Sequence, residues 1–86
     1  MDKETVDEVV AYIIPIHNNL AARISIMYRF IVNDINSIKK FNAKQLANIK
    51  KDLNKLKKDQ KIDKDMYKKA MSIHEYFESC YVLAHL

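Results

Sequence analysis

Six side chains suited to binding recur near the end of the sequence at spacings of four and three residues. Helical periodicity places residues at these spacings on one flank of a helix. Tyrosine and histidine combine an apolar body with a hydrogen-bonding tip, which favours a protein interface or a groove for a small ligand. The same pattern is typical of the boundary layer of a helical bundle, so both interpretations stay open. This Tyr/His stripe consists of Tyr67, Met71, His74, Glu78, Tyr81 and His85.

The residues that catalysis or metal binding would require are missing around the stripe. His74 and Glu78 stand four residues apart, but His85 lies more than two turns further along, and metal sites need three or four convergent ligands. Cys80 follows Phe77 in the apolar seam of the same helix, which predicts a buried, inert thiol. The chain contains no glycine, so it lacks the loops that cradle phosphates. We therefore expect no metal, no cofactor and no enzymatic activity.

A second group of charged side chains lies between residues 39 and 69, where twelve lysines accompany four aspartates. The parts of the chain before and after this region both carry a net negative charge. On a helical wheel the lysines of residues 43–60 are separated from Asp52 and Asp59. Helices selected only for solubility more often interleave the two signs. The lysine face, which extends over about 20 Å, consists of Lys44, Lys51, Lys55 and Lys58.

The lysine face permits contact with several phosphates of a nucleic acid without reading its sequence. Residues 39–69 contain no arginine, although arginine is the preferred side chain for bidentate contacts to phosphate and guanine. Only Phe41 and Tyr67 are available there to stack on single strands. Three interpretations therefore stay open: a solvated helix face, sequence-independent nucleic-acid binding, or contact with an acidic protein or anionic surface.

The elements that position these groups are predicted to be helices. Strands joined by tight turns depend on glycine, whereas this chain has none and only one proline. We expect a single all-α domain over residues 1–86, in which a short N-terminal helix precedes three long helices packed antiparallel. The predicted helices cover residues 4–14, 16–40, 43–60 and 64–85.

Local signals set the predicted helix ends. Thr5 followed by Glu8 is a capping-box pattern for the first helix. Pro15 is expected to end that helix, because proline lacks an N–H group and crowds the preceding turn. Asn42 is the predicted N-cap of the third helix, as part of a second capping box, and Asp63 is that of the last helix.

The predicted second helix carries apolar side chains over an unusually wide arc. A stripe of Ile26, Phe30 and Phe41 lies beside the main seam, and one neighbouring helix cannot cover both. This width favours a homodimer or higher oligomer. Arg29 points away from the seam and is a candidate anchor at a partner interface. The main seam consists of Ile16, Leu20, Ile24, Met27, Ile31, Ile35 and Ile38.

The sequence favours a cytoplasmic protein. Cys80 is the only cysteine, so no disulfide can form within the chain and a reducing compartment fits best. The opening residues MDKETVDE are acidic, whereas a signal peptide needs a basic start. The most apolar stretch, residues 9–32, is interrupted by His17, Arg23 and Arg29 and is too polar for a membrane span.

The leading functional hypothesis is a small regulatory or inhibitory binding protein that masks a surface on a partner macromolecule. A short, glycine-free helical chain rich in residues with A/T-rich codons is compatible with an origin in a phage or mobile element. The predicted contact surface is the Tyr/His stripe, extended by Arg29. One alternative is a sequence-independent nucleic-acid-binding protein that uses the lysine face. A second alternative is an oligomer that sequesters a small anionic ligand in a groove between subunits.

Overall fold

Five helices build the protein, and no strand is present. The structure, a computed structural model, describes all 86 residues. The all-α prediction is confirmed and the arrangement is bundle-like, whereas the antiparallel order and the oligomeric state stay predictions. The helices are α1 (Lys3–Ile13), α2 (Asn18–Asn33), a 3-10 helix (Ile35–Lys40), α3 (Ala43–Lys58) and α4 (Lys64–Ala84).

The prediction of one helix over residues 16–40 is wrong, because two helices occupy this segment. α2 ends at Asn33, and Asp34 is extended, with φ −160° and ψ 115°. The Asp34 side chain accepts a hydrogen bond of 3.0 Å from the Asn36 N–H and so caps the 3-10 helix. Short polar side chains at residues 33–37 compete with the helical hydrogen bonds, although the isoleucine spacing continues through them.

The start of α1 also differs from the sequence prediction. Its N-cap is Asp2 rather than Thr5, because the Asp2 carboxylate accepts a hydrogen bond of 2.7 Å from the Thr5 N–H. This bond stabilises the charged carboxylate and lowers the pKa of Asp2 from its ordinary value of 3.8. At the other end, α1 stops at Ile13, two residues before Pro15, as the sequence predicts.

The predicted starts of α3 and α4 are confirmed. Asn42 and Gln45 form a reciprocal capping box, in which each side chain accepts a hydrogen bond from the backbone N–H of the other, at 2.9 and 2.8 Å. The Asp63 side chain accepts a hydrogen bond of 2.8 Å from the Met66 N–H and caps α4. These caps fix the first turns of the two helices that carry the lysine face and the Tyr/His stripe.

The end of α3 is a Schellman motif without its usual glycine. Gln60 has a φ of 57°, in the left-handed region. The Lys61 N–H bonds the Leu56 carbonyl at 2.9 Å, and the Gln60 N–H bonds the Lys57 carbonyl at 3.0 Å. This is the hydrogen-bond pattern of the motif, in which glycine normally occupies the left-handed position. Because the chain has no glycine, a glutamine bears the steric cost.

One core of 18 buried apolar residues draws on all five helices. The apolar side chains of α3, at Leu46, Ile49, Leu53 and Leu56, are all buried. The buried residues of α4 include Ala70, Ile73, Phe77 and Cys80. α2 packs mainly against α1 and the 3-10 helix, while α3 packs mainly against α4. Direct contact between α2 and α3 is small, which leaves a groove between them. None of the helices combines the length and apolar character that crossing a bilayer requires.

Candidate interaction surfaces

The first half of the Tyr/His stripe faces α3. Tyr67 is half-buried, and its hydroxyl donates a hydrogen bond to the side-chain oxygen of Asn54. The Lys57 ammonium lies 4.4 Å from the centre of the Tyr67 ring, within cation–π range. Met71 is half-buried against the core. Tyr67 therefore joins α4 to α3 within the chain.

His74 is the one polar residue that is buried, with 2% of its surface exposed. Its Nε2 lies 2.9 Å from the Leu46 carbonyl oxygen, a hydrogen bond that links α4 to α3. Its Nδ1 is fully buried and lies 3.0 Å from Glu78 Oε1, but the two atoms are not aligned for a hydrogen bond. His74 is inaccessible to a partner as long as α3 and α4 stay packed.

The exposed residues of the stripe lie near the end of α4. Glu78 and His85 are exposed and Tyr81 is half-buried. The Tyr81 and His85 rings lie 4.2 Å apart, and His85 Nδ1 is 2.8 Å from the Tyr81 carbonyl oxygen. Glu78 and Tyr81 line a groove of about 410 Å³ with Lys50 of α3. Partner binding by the whole stripe stays a prediction; Glu78 and His85 are its exposed residues, and His74 is its buried one.

The lysine face is fully solvent-exposed and carries no internal ion pair. Lys44, Lys51, Lys55 and Lys58 are all exposed, and none of the protein's salt bridges involves them. By contrast, the acidic Asp52 on another side of α3 is paired with the Arg23 guanidinium. The charges are therefore segregated around α3, as the helical wheel indicates.

The outer side of α2 is an apolar and cationic surface. Ile26 and Phe30 are 40% and 38% exposed, although the other face of α2 is buried in the core. The Phe30 ring packs edge-on against Phe41, with centres 5.8 Å apart, and the Lys40 ammonium lies 5.1 Å from the Phe30 centre. Arg29 is exposed beside them. The α2 surface is defined by Ile26, Arg29, Phe30, Lys40 and Phe41.

A groove between α2 and α3 continues the α2 surface, since Ile26 lines both. The α2–α3 groove has a volume of about 210 Å³. Met27 and Ile49 are buried and form its floor. The sequence pattern marks the apolar stripe of α2 but not the groove, because the groove arises from how α2 and α3 diverge. The residues that line it are Arg23, Ile26, Met27, Phe41, Gln45, Asn48 and Ile49.

The remaining titratable groups include a buried cysteine and a tyrosine with a raised pKa. No group of three or more His, Cys, Asp or Glu side chains is placed to hold a metal ion. Cys80 is a free thiol with 2% of its surface exposed. Burial, and next the neighbouring Cys80, raises the pKa of Tyr76 above its ordinary value of 10.0. The phenol of Tyr76 is therefore neutral at physiological pH.

Comparison of the chain with family models, with curated proteins and with solved structures gives no match. Function is therefore inferred from the exposed surfaces. The α2 surface combines aromatic, aliphatic and arginine side chains, the composition that marks the centre of protein interfaces. The lysine face is only cationic, and the end of the stripe places Glu78 beside Lys50 of α3.

Proposed function

We propose that the protein is a small, non-catalytic regulatory or inhibitory protein of the cytosol that binds a partner protein and masks part of its surface. The observation that carries this proposal is the α2 surface. Exposed Ile26 and Phe30 stand beside Arg29 on a helix whose other face is fully buried. Aromatic and arginine side chains that become desolvated in an interface supply most of its binding energy.

The charge of the α2 surface indicates the kind of partner. Neither Arg29 nor Lys40 takes part in a salt bridge within the chain. Cations at the rim of an apolar patch attract an acidic partner and disfavour a basic one. The sequence pattern also predicts Arg29 as a partner anchor. Its position on the helical wheel and its exposure beside Ile26 and Phe30 therefore support the same assignment.

Site-specific photo-crosslinking tests this function in cells that produce the protein. Benzoylphenylalanine in place of Phe30 should give a discrete adduct with another protein, because the exposed ring lies inside the proposed interface. The same group in place of Lys51, on the lysine face, is the matched control and should give no protein adduct. Adducts from position 81 but not from position 30 would return the interface to the Tyr/His stripe. Absence of any position-dependent adduct would contradict the proposal.

A second candidate function is sequence-independent nucleic-acid binding by the lysine face. It is favoured by four exposed lysines on one side of α3 that have no acidic partner in the chain. The helix positions Lys44 to Lys58 extend over about 21 Å, enough for several phosphates. Release of counterions would make such binding fall steeply as salt rises.

Fluorescence anisotropy with labelled duplex DNA and single-stranded RNA separates this function from the first. Joint replacement of Lys51, Lys55 and Lys58 by glutamine should make the slope of log binding constant against log salt concentration less steep. The change should correspond to the loss of about three phosphate contacts. A control triple of Lys39→Gln, Lys64→Gln and Lys68→Gln removes the same charge from outside the lysine face. Equal effects of the two triples would show only a general attraction of a basic protein to nucleic acid.

The groove lined by Lys50, Glu78 and Tyr81 lies within one chain, whereas the third function, sequestration of a small anion, places the ligand in a groove between subunits. The groove within one chain contains one cation and one carboxylate, and the carboxylate repels an anion. Sequestration of a small anion between subunits therefore stays a prediction.

A further inference from the structure

We propose that the α2–α3 groove receives one large apolar side chain from an acidic segment of the partner protein. This assignment rests on the proposed function, because it names the part of the partner that the α2 surface recognises. It divides the recognition between two neighbouring features: the groove supplies an apolar pocket, and the α2 surface supplies aromatic contact and positive charge.

The size of the groove fits a side chain. Its volume of about 210 Å³ is below the roughly 300–1,000 Å³ of pockets that enclose drug-sized ligands. Liquid water occupies about 30 Å³ per molecule, so the groove holds only a few waters. An apolar side chain that displaces these waters packs on the apolar floor of the groove. Such a side chain is the kind of anchor that is typical of protein interfaces.

The lining of the groove is apolar inside and polar at the rim. Met27 and Ile49 form the floor, with 2% and 1% of their surfaces exposed. Ile26 and Phe41 form apolar walls. Methionine is flexible and polarisable and therefore adapts to side chains of different shapes. The floor thus favours a large apolar group without selecting among leucine, methionine and phenylalanine.

The polar rim is held in place by contacts within the chain. The Arg23 guanidinium pairs with Asp52 of α3, and its Nε donates a hydrogen bond of 2.7 Å to Asn19. The charge of Asp52 is thereby balanced by that of Arg23, so Asp52 does not repel an acidic segment. Gln45 is fixed by the capping box at the start of α3. The rim therefore exists before a partner arrives, which reduces the entropic cost of binding.

The charges beside the groove favour an acidic segment. Arg29 and Lys40 flank the apolar walls and have no acidic partner in the chain. Acidic residues on either side of the anchoring side chain would meet these cations at the edge of the interface. Such pairs steer association and exclude basic competitors more than they add affinity.

A second copy of the chain is the rival occupant. The end of α4 exposes Val82 and Leu83 close to Glu75 and Glu78, so it also presents apolar groups beside acidic ones. One copy that inserted this end into the groove of the next would make a head-to-tail contact, which continues into an open filament unless the rotation closes a ring. Association limited to one foreign segment avoids this outcome.

A phage-displayed library of random peptides, panned against the immobilised protein, tests the assignment. The enriched peptides should carry one large apolar residue between aspartates or glutamates. Asn48→Trp places a bulky group in the groove from an exposed rim position and should weaken these peptides about tenfold or more. Ile26→Ala, which removes an exposed wall, should weaken them as well. Circular dichroism and thermal melting establish that each variant is folded.

Charge variants test the acidic flanks. Arg29→Glu should weaken the enriched peptides several-fold and reduce their dependence on salt, since it removes one cation and adds a repulsive group. Lys55→Glu makes the same charge change on the lysine face and should leave binding within about twofold. Equal losses from the two variants would mean that the peptides respond only to the net charge of the protein.

The outcomes separate this assignment from the proposed function. Peptides that bind Asn48→Trp as well as the wild type, or that lack acidic residues, would overturn the pocket. A crosslink from position 30 that persists in Asn48→Trp would then leave the proposed function standing without the pocket. Self-association that Asn48→Trp abolishes would assign the groove to a second copy and overturn the foreign segment. No enrichment and no crosslink would overturn both.

Discussion

The His74 side chain links α4 to α3. Its imidazole fills a buried position and bonds the Leu46 carbonyl. A substitution there affects stability before it affects any contact with a partner. Loss of function in a His74 variant is therefore no evidence that the Tyr/His stripe is an interface, whereas variants of the exposed Glu78 and His85 are informative.

The first prediction concerns the stability contributed by His74. His74→Ala should lower the free energy of unfolding by about 2–4 kcal/mol, because it removes a hydrogen bond and leaves a cavity. Equilibrium unfolding in urea measures the change. Glu78→Gln is the control and should change stability by less than about 0.5 kcal/mol, since Glu78 is half exposed and makes no aligned hydrogen bond to His74. A comparable loss in both variants would mean that the contact with Glu78 within α4 is needed to hold the imidazole against the Leu46 carbonyl.

The second prediction concerns the N-cap of α1. Asp2 has a lowered pKa in the folded state, so its carboxylate stabilises the fold above the ordinary value of 3.8, and this contribution is lost as pH falls through the folded value. Asp2→Asn keeps a capping oxygen but does not titrate. The difference in urea midpoint between the wild type and Asp2→Asn should therefore shrink between about pH 6 and pH 2.5. A difference that is constant with pH would contradict the role of the charged cap.

At the scale of elements, the end of α3 offers the third prediction. Gln60 adopts the left-handed conformation that glycine occupies without steric cost. Gln60→Gly should raise the free energy of unfolding by about 0.5–1 kcal/mol, as measured by urea unfolding. Asp59→Gly is the matched control: Asp59 has a φ of −81°, so glycine gains nothing there and should destabilise by a similar amount. An increase in both variants would indicate an effect of lost side chains instead of backbone conformation.

Elements with strong local signals were predictable from the sequence. The seam of Leu46, Ile49, Leu53 and Leu56 has a single helical period and a reciprocal cap at its start, and all four residues are buried. α4 likewise follows from the Asp63 cap and its spacing. In both helices the local and long-range preferences agree, which is the condition under which sequence patterns are informative.

The break in α2 and the start of α1 were predicted wrongly for different reasons. The isoleucine spacing continues from α2 into the 3-10 helix, so periodicity alone does not reveal that Asp34 leaves the helix. At the start of α1, Asp2 and Thr5 are both good caps, and the choice between them depends on how much helix the core can use. A polar side chain that competes with the helical hydrogen bonds decides only the first case, at Asp34.

Some features of the candidate sites were likewise predictable from the sequence, and others were not. Exposure of the lysine face follows from wheel geometry, and the cationic character of the region follows from composition. The burial of His74 and the opening between α2 and α3 depend on the angles at which helices pack, and a single sequence does not encode these angles in any local pattern. A surface formed between two helices is therefore recognised only in the three-dimensional structure, whereas a surface on one helix can be predicted from the sequence.

At the scale of the whole molecule, two cationic regions remain without internal counterions: the lysine face and the rim of the α2 surface. The formal net charge of +4 understates this separation, because several acidic groups are already engaged, such as Glu8 with Lys69 at 2.7 Å. Any association through the α2 surface consequently depends on salt, and the sign of that dependence reports the charge of the partner.

The fourth prediction uses this sign to test the homodimer that the sequence favours. A two-fold dimer pairs the same patch from both copies, so a dimer through the α2 surface would bring the Arg29 and Lys40 side chains of the two copies together. Salt screens that repulsion. In sedimentation velocity, a dimer of this kind would be recognised by a fraction that rises from about 50 to 500 mM NaCl, whereas binding of an acidic partner falls over the same range.

Two double variants test whether Arg29 and Lys40 are the cations that repel each other across the dimer interface. Replacement of Arg29 and Lys40 by glutamine should strengthen the dimer at low salt and remove its salt response, because the repelling cations are gone. Replacement of Lys55 and Lys58 by glutamine removes the same charge from the lysine face and should leave the salt response in place. A dimer that weakens with salt would instead require opposite charges across its interface. The acidic Glu75 and Glu78 near the end of α4, facing a basic region of the other copy, would then be the contact to examine.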